Sequence, residues 1–111
     1  MNEFIEDIIK NLQEINIKSI ILFGSYANET NTNDSDIDLI VVLDSDAISN
    51  SFEEKMNNKL RVRNCIYELS RKVAIDLIVY TNAEFNIIKE NNTSFYNEIM
   101  ETGKVLYEKA S

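Results

Sequence analysis

The sequence predicts an α/β fold, a small mixed β-sheet flanked by helices. Apolar patterns of helical and strand period follow one another in the order helix, strand, strand, helix, strand, helix. Two of the strand patterns carry nearly the same phrase, Asp36-Ile-Asp38-Leu-Ile-Val-Val and Ala74-Ile-Asp76-Leu-Ile-Val. The 111 residues include no proline and only two glycines, Gly24 and Gly103. The whole span 1–111 is therefore expected to form one domain with no flexible linker.

Each element has its own signal. From residue 2 to about 15, Phe4, Ile5, Ile8, Ile9, Leu12 and Ile15 fall on one face of an amphipathic helix. Residues 19–23 are a β-branched run ending at Gly24, a short buried strand. Residues 28–35 contain no apolar side chain and predict an exposed loop after at most one helical turn from Ser25. Residues 36–43 are apolar on both faces after Asp38, the pattern of a central strand covered on both sides. Ser51 and Glu54 form a capping box for a helix from 51 to about 71, with Phe52, Met56, Val62, Ile66 and Leu69 as its stripe. Residues 73–80 are a third strand. Thr81 and Glu84 repeat the capping signal for a helix to about 90. A further helix from 93 ends at Gly103, which suits a left-handed cap, and residues 104–107 add a short edge strand.

Composition removes several kinds of chemistry. The chain has 11 basic and 19 acidic residues, a net charge of −8, which argues against gripping a nucleic-acid backbone. With no histidine there is no histidine-based triad and no His-ligated zinc. The lone Cys65 cannot form an internal disulfide and reads as a core thiol. Without a leader pattern or a long apolar run, the expectation is a cytoplasmic protein with no membrane segment.

The aspartates carry the strongest chemical signal. Burying a carboxylate is costly unless it is paired, hydrogen-bonded or bound to a metal. One such residue is accounted for equally well by bonds to loop amides; three call for a shared cause. Side chains alternate along a strand, so Asp36 and Asp38 share a face, with α-carbons about 7 Å apart. If the third strand lies beside the second in register, Asp76 joins them, and three close carboxylates require a compensating charge. An oxygen-only donor set selects Mg²⁺ or Mn²⁺.

Gly24-Ser25 after the first strand is an ordinary turn or, with the aspartates, a phosphate cradle. Glycine allows close approach to the backbone, and exposed amides at a helix start suit an anion. Cradle and metal site together point to a nucleoside triphosphate. Tyr26 stands beside the cradle as a candidate nucleotide contact, whereas Tyr67, Tyr96 and Tyr107 fall at apolar positions and read as packing residues.

Gly24-Ser25, ten intervening residues and Asp36-Ile37-Asp38, with Asp76 as a third carboxylate, resemble the signature of the DNA polymerase beta-like nucleotidyltransferase superfamily. The wider wording, Leu22-Phe23-Gly24-Ser25-Tyr26-Ala27 and Asp34-Ser35-Asp36-Ile37-Asp38-Leu39, is similar to the minimal nucleotidyltransferases, and the resemblance extends to the Gly103-Lys104-Val105-Leu106-Tyr107 ending. Where many members carry Arg-Gly, this chain has Asn28-Glu29, one positive charge fewer near the phosphates.

The resemblance implies the polymerase beta-like fold and transfer of a nucleoside monophosphate, AMP from ATP, to a hydroxyl. Asp36, Asp38 and Asp76 would be catalytic and bind metal, two Mg²⁺ ions, and Gly24, Ser25 and Tyr26 would bind nucleotide. It further implies an antitoxin whose partner is a HEPN-domain ribonuclease toxin, adenylylated on a tyrosine. Two alternatives remain open: an antitoxin that acts by binding alone, and transfer to a small molecule. Residues 55–72 carry six basic side chains against Glu68, a net of +5 in a chain whose remainder is −13. This is either a solvated helix face or a surface for a partner or phosphate.

Overall fold

The computed structural model describes residues 3–27, 30 and 35–110. Its elements are α1 (Glu3–Leu12), β1 (Ile17–Phe23), a 3-10 turn (Gly24–Tyr26), β2 (Ile37–Leu43), α2 (Phe52–Cys65), α3 (Tyr67–Ser70), β3 (Ile75–Thr81), α4 (Asn82–Glu90), α5 (Ser94–Thr102) and β4 (Lys104–Glu108). The sheet order is β3-β2-β1-β4. β2 runs antiparallel to β1 and parallel to β3, and β4 is antiparallel to β1, so the sheet is mixed as expected.

Both faces of the sheet are covered. Alternation along β2 sends Ile37, Leu39, Val41 and Leu43 into the larger core, with Ile8 and Leu12 of α1, Val62 of α2, Ile66 after it and Leu69 of α3. Ile40 and Val42 point the other way, into a smaller cluster with Ile21, Ile99 and Phe85 of α4. β2 is therefore the central, doubly covered strand that its unbroken apolar run predicts. Asp38 has the parity of Ile40 and projects toward the α4/α5 face.

The capping signals act as read, with one refinement. Ser51 Oγ accepts from the Glu54 amide, but the Glu54 carboxylate takes the Asn50 N–H, at 2.6 Å. At α4 the box is reciprocal: Thr81 Oγ1 accepts from the Glu84 amide and Glu84 Oε1 accepts from the Thr81 amide. The second Glu84 oxygen accepts from the Ser49 N–H, tying the loop after β2 to the start of α4. Past β4, Lys109 Nζ reaches Asp44 Oδ2 at 2.6 Å and Asn16 Oδ1 at 2.9 Å, clasping the end of the β1–β2 pair where β1 begins and β2 ends.

Several sequence expectations are corrected. The helix expected over 51–71 breaks at Ile66 (φ −116°, ψ 17°), where the side chain is fully buried and the chain turns into α3. Only Val62, Ile66 and Leu69 of its stripe are core residues; Phe52 is 77% exposed and Met56 is also exposed, so the stripe's first half stays outside the core. Tyr67 is exposed rather than packed. Gly103 is extended (φ −80°, ψ 166°), not left-handed. It is required by crowding instead: a Cβ there would stand 2.5 Å from the Ile99 carbonyl oxygen. The first helix ends at Leu12 and the third strand begins at Ile75, each two or three residues inside the expected limits. Asn28-Glu29 and most of the loop 28–35 lie outside the described residues.

Candidate active site

The site forms where β1 ends and β2 begins. Phe23, the last residue of β1, pairs with Asp38 on β2, so the turn that follows lies over the head of β2. Gly24 enters that turn at φ +72°, a conformation that a residue with a Cβ adopts only with strain. The 3-10 turn closes with the Ala27 amide donating to the Gly24 carbonyl at 3.1 Å, and the Thr30 amide donating to the Ser25 carbonyl at 2.9 Å. Ser25 is half-buried at the turn. Tyr26 is half-buried as well, against the larger core.

Asp38 and Asp76 are register partners in the parallel β2–β3 pair. Partners in a parallel ladder project to the same face, so the two carboxylates stand side by side. Asp36 has the same parity but lies one residue before β2, exposed to solvent. Burial, then the Asp76 and Asp36 charges, push the Asp38 carboxyl above the usual carboxylate value. The Asp38 carboxylate also fills the space beside Gly24: a Cβ at residue 24 would collide with Asp38 Oδ2. The four sequence-flagged positions Gly24, Ser25, Asp38 and Asp76 thus meet at one end of three adjacent strands, with Asp36 at the rim.

A divalent cation fits this chemistry. The donors are hard oxygens, and the most buried of them is held above its usual value by burial and then by like charge, both of which a cation offsets. Among the described residues no three such side chains already surround a common point as metal ligands. Asp38 and Asp76 would hold the ion, with Asp36 within reach from the rim.

Two concavities flank the carboxylates. Phe23, Gly24, Phe95, Glu98, Ile99 and Thr102 line a cavity of about 210 Å³ between the turn and α5. Phe95 meets Phe23 edge-on at 6.4 Å and keeps 37% of its surface exposed. Sequence reading missed Phe95 and Glu98, because nothing in a helix of ordinary amphipathic pattern marks which residue overlooks a turn 70 positions earlier. On the opposite side Lys59, Arg63 and Ser70 line a cavity of about 180 Å³ that reaches Asp76. The basic character of this segment was legible; its position beside Asp76 was not. Cys65 is half-buried, its thiol raised by burial and then by the Glu14 charge, and its Sγ lies 3.5 Å from the Arg61 carbonyl.

No helix among the described residues is long and apolar enough to cross a membrane. The family model described as "Polymerase beta, Nucleotidyltransferase" matches residues 3–111. A protein of Methanocaldococcus jannaschii, whose name provisionally assigns it protein adenylyltransferase activity, is 36% identical over 107 residues, spanning 96% of this chain and 94% of that one. Two solved structures share the fold. One is a crystal structure of a toxin-antitoxin with AMP-PNP (TM-score 0.54, 21% identity, 95% of this chain and 73% of that one). The other is a mutant of the MntA-HpeT toxin-antitoxin (TM-score 0.53, 23% identity, 98% of this chain and 74% of that one). A match over nearly the full chain, with Asp38 and Asp76 set side by side beside a left-handed glycine turn, makes this chain a nucleotidyltransferase belonging to the polymerase beta family.

Proposed function

We propose that the protein transfers AMP from ATP to a hydroxyl of a protein partner and acts as an antitoxin, the partner being a HEPN-domain toxin and the acceptor a tyrosine. The observation that carries the reading is the register pairing of Asp38 with Asp76 next to the Gly24 turn. The M. jannaschii relative's name supports a protein acceptor, and the toxin-antitoxin structures of the same fold support a toxin as that acceptor.

The residues divide the work by position. The Gly24–Tyr26 turn holds the terminal phosphates through its backbone amides and Ser25, since an exposed run of N–H groups suits an anion. The adenine enters the cavity beside Gly24 and lies against Phe95. Asp38, Asp76 and Asp36 would hold Mg²⁺, two ions on the family resemblance, which when bound would supply neutralisation of the triphosphate and of the charge developing in the displacement. Asp76, on the strand farthest from the turn, orients the acceptor hydroxyl and takes its proton. The acceptor oxygen forms a bond to the α-phosphorus, the bond from that phosphorus to the bridging oxygen of the β-phosphate breaks, and pyrophosphate leaves.

The test is incubation of the protein with ATP, Mg²⁺ and the product of the neighbouring gene as the candidate toxin, followed by intact mass spectrometry. The expected result is a toxin heavier by one AMP group, mapped to a tyrosine, and none with Asp38→Asn. Unmodified toxin in cells that the wild-type protein protects would leave neutralisation by binding alone.

A further inference from the structure

β3 is an edge strand, and no strand of the described residues pairs with its outer side. Two concavities lie end to end along that edge. The first is the cavity of about 180 Å³ where Lys59 and Arg63 face Ile75, Asp76 and Leu77. The second, of about 290 Å³, is lined by Lys55, Val79, Tyr80 and the α4 residues Ile87 and Ile88. With β3 as a shared floor they form one groove. Lys55, Lys59 and Arg63, spaced by four along α2, make one wall; α4 and the exposed Ile48 make the other along the second cavity. None of the three basic side chains has a hydrogen bond or ion pair among the described residues. The sheet order separates the two sides of the site: the Gly24 turn follows β1, Asp76 stands on β3, and β2 lies between them. The phosphate side and the β3 edge are therefore approached from different directions.

We propose that this groove docks an acidic, extended segment of the protein that presents the acceptor hydroxyl. The segment lies along β3 with its carboxylates against Lys55, Lys59 and Arg63, an apolar side chain between Ile48 and Ile87, and the hydroxyl at the Asp76 end. This identification of the occupant rests on the adenylyltransferase reading. A basic row in a chain of net charge −8 selects an acidic partner locally, and an open edge strand accepts an extended peptide. A second copy of this chain is disfavoured, because a two-fold β3–β3 contact sets the two basic rows against each other. A nucleic acid is disfavoured by Asp76 in the floor and by the overall charge.

The test is an NMR titration without nucleotide, so that its result is independent of whether transfer occurs; Mg-ATP binding is measured separately by calorimetry. The probes are two twelve-residue peptides of alternating valine and charged residues around one tyrosine, one with glutamates and one with lysines. The expected result is shifts confined to β3, α2 and α4 with the glutamate peptide, and affinity at least about tenfold weaker for the lysine peptide and for the double variant Lys59→Glu/Arg63→Glu. Lys55→Glu, at the end remote from Asp76, weakens the glutamate peptide in the same direction and serves if the double variant does not fold. Equal affinity for the two peptides, or shifts elsewhere on the surface, would overturn the proposal. So would a single-stranded RNA 12-mer that outcompetes the glutamate peptide, or loss of Mg-ATP binding in the folded double variant, which would reassign the basic pair to the nucleotide.

Discussion

The carboxylate of Asp38 occupies the space that a side chain at Gly24 would need. Gly24 therefore answers two demands at once, a positive φ and the close approach of a neighbouring strand's carboxylate. A side chain at residue 24 would therefore have to displace the Asp38 carboxylate.

Gly24→Ala is expected to destabilise the fold by about 1–2 kcal/mol through backbone strain alone, and further by displacing Asp38. Urea denaturation measures the first effect. Nucleotide affinity measured on the folded fraction should fall more than it does for Ser25→Ala, which leaves the turn's amides in place. A Gly24→Ala protein with wild-type affinity would show that the carboxylate can relocate freely.

Asp38→Asn should abolish transfer yet raise the melting temperature by a few degrees when no divalent cation is present. The substitution removes a charge that burial, Asp76 and Asp36 all disfavour. Mg²⁺ should stabilise the wild type and leave the variant nearly unchanged. Thermal scans with and without the ion decide this, and equal Mg²⁺ responses would count against a site at Asp38.

Asp76→Asn is expected to lower the transfer rate by about 10²–10⁴-fold, the usual loss for a group that accepts the nucleophile's proton. Raising the pH should recover part of the rate, because the acceptor hydroxyl then ionises without help. Initial rates against pH for both proteins provide the comparison; parallel profiles would assign Asp76 to metal binding alone.

The Glu84 carboxylate gives a dependence on pH that does not involve the site. Burial pushes it up, but hydrogen bonds from Thr81 and Ser49 outweigh that and hold it below the ordinary glutamate value. A lowered native value stabilises the fold above the unfolded value and ceases to do so as the pH falls through the native one. Glu84→Gln should cost about 0.5–2 kcal/mol at neutral pH, with the gap to wild type closing as the pH drops through and below about 4–4.5. Chemical denaturation at neutral and acid pH tests the sign.

The broken helix gives the last contrast. Ile66→Ala should cost about 2–5 kcal/mol, as a buried large-to-small change does, whereas Phe52→Ala should fall within about 0.5 kcal/mol of wild type, as surface changes do. Similar denaturant midpoints for the two variants would show instead that the stripe packs along its whole length, as the sequence pattern implies.

The sequence by itself determined what is local. Alternation placed Asp36 and Asp38 on one side of a strand, the unbroken apolar run after Asp38 announced burial on both faces, and Thr81 with Glu84 announced a helix start; each depends on neighbours a few residues away. Gly24 was marked as special because glycines are scarce, but not for its reason, since the carboxylate that crowds it belongs to another strand. Only the tertiary structure decided that β3 lies parallel to β2 in the register that joins Asp38 to Asp76, that α2 is bare at Phe52 and buried at Val62, and that Phe95 and Arg63 stand on opposite sides of the same site. These follow from which surfaces meet when the sheet closes against its helices, and burial of that kind depends on residues far apart in the chain.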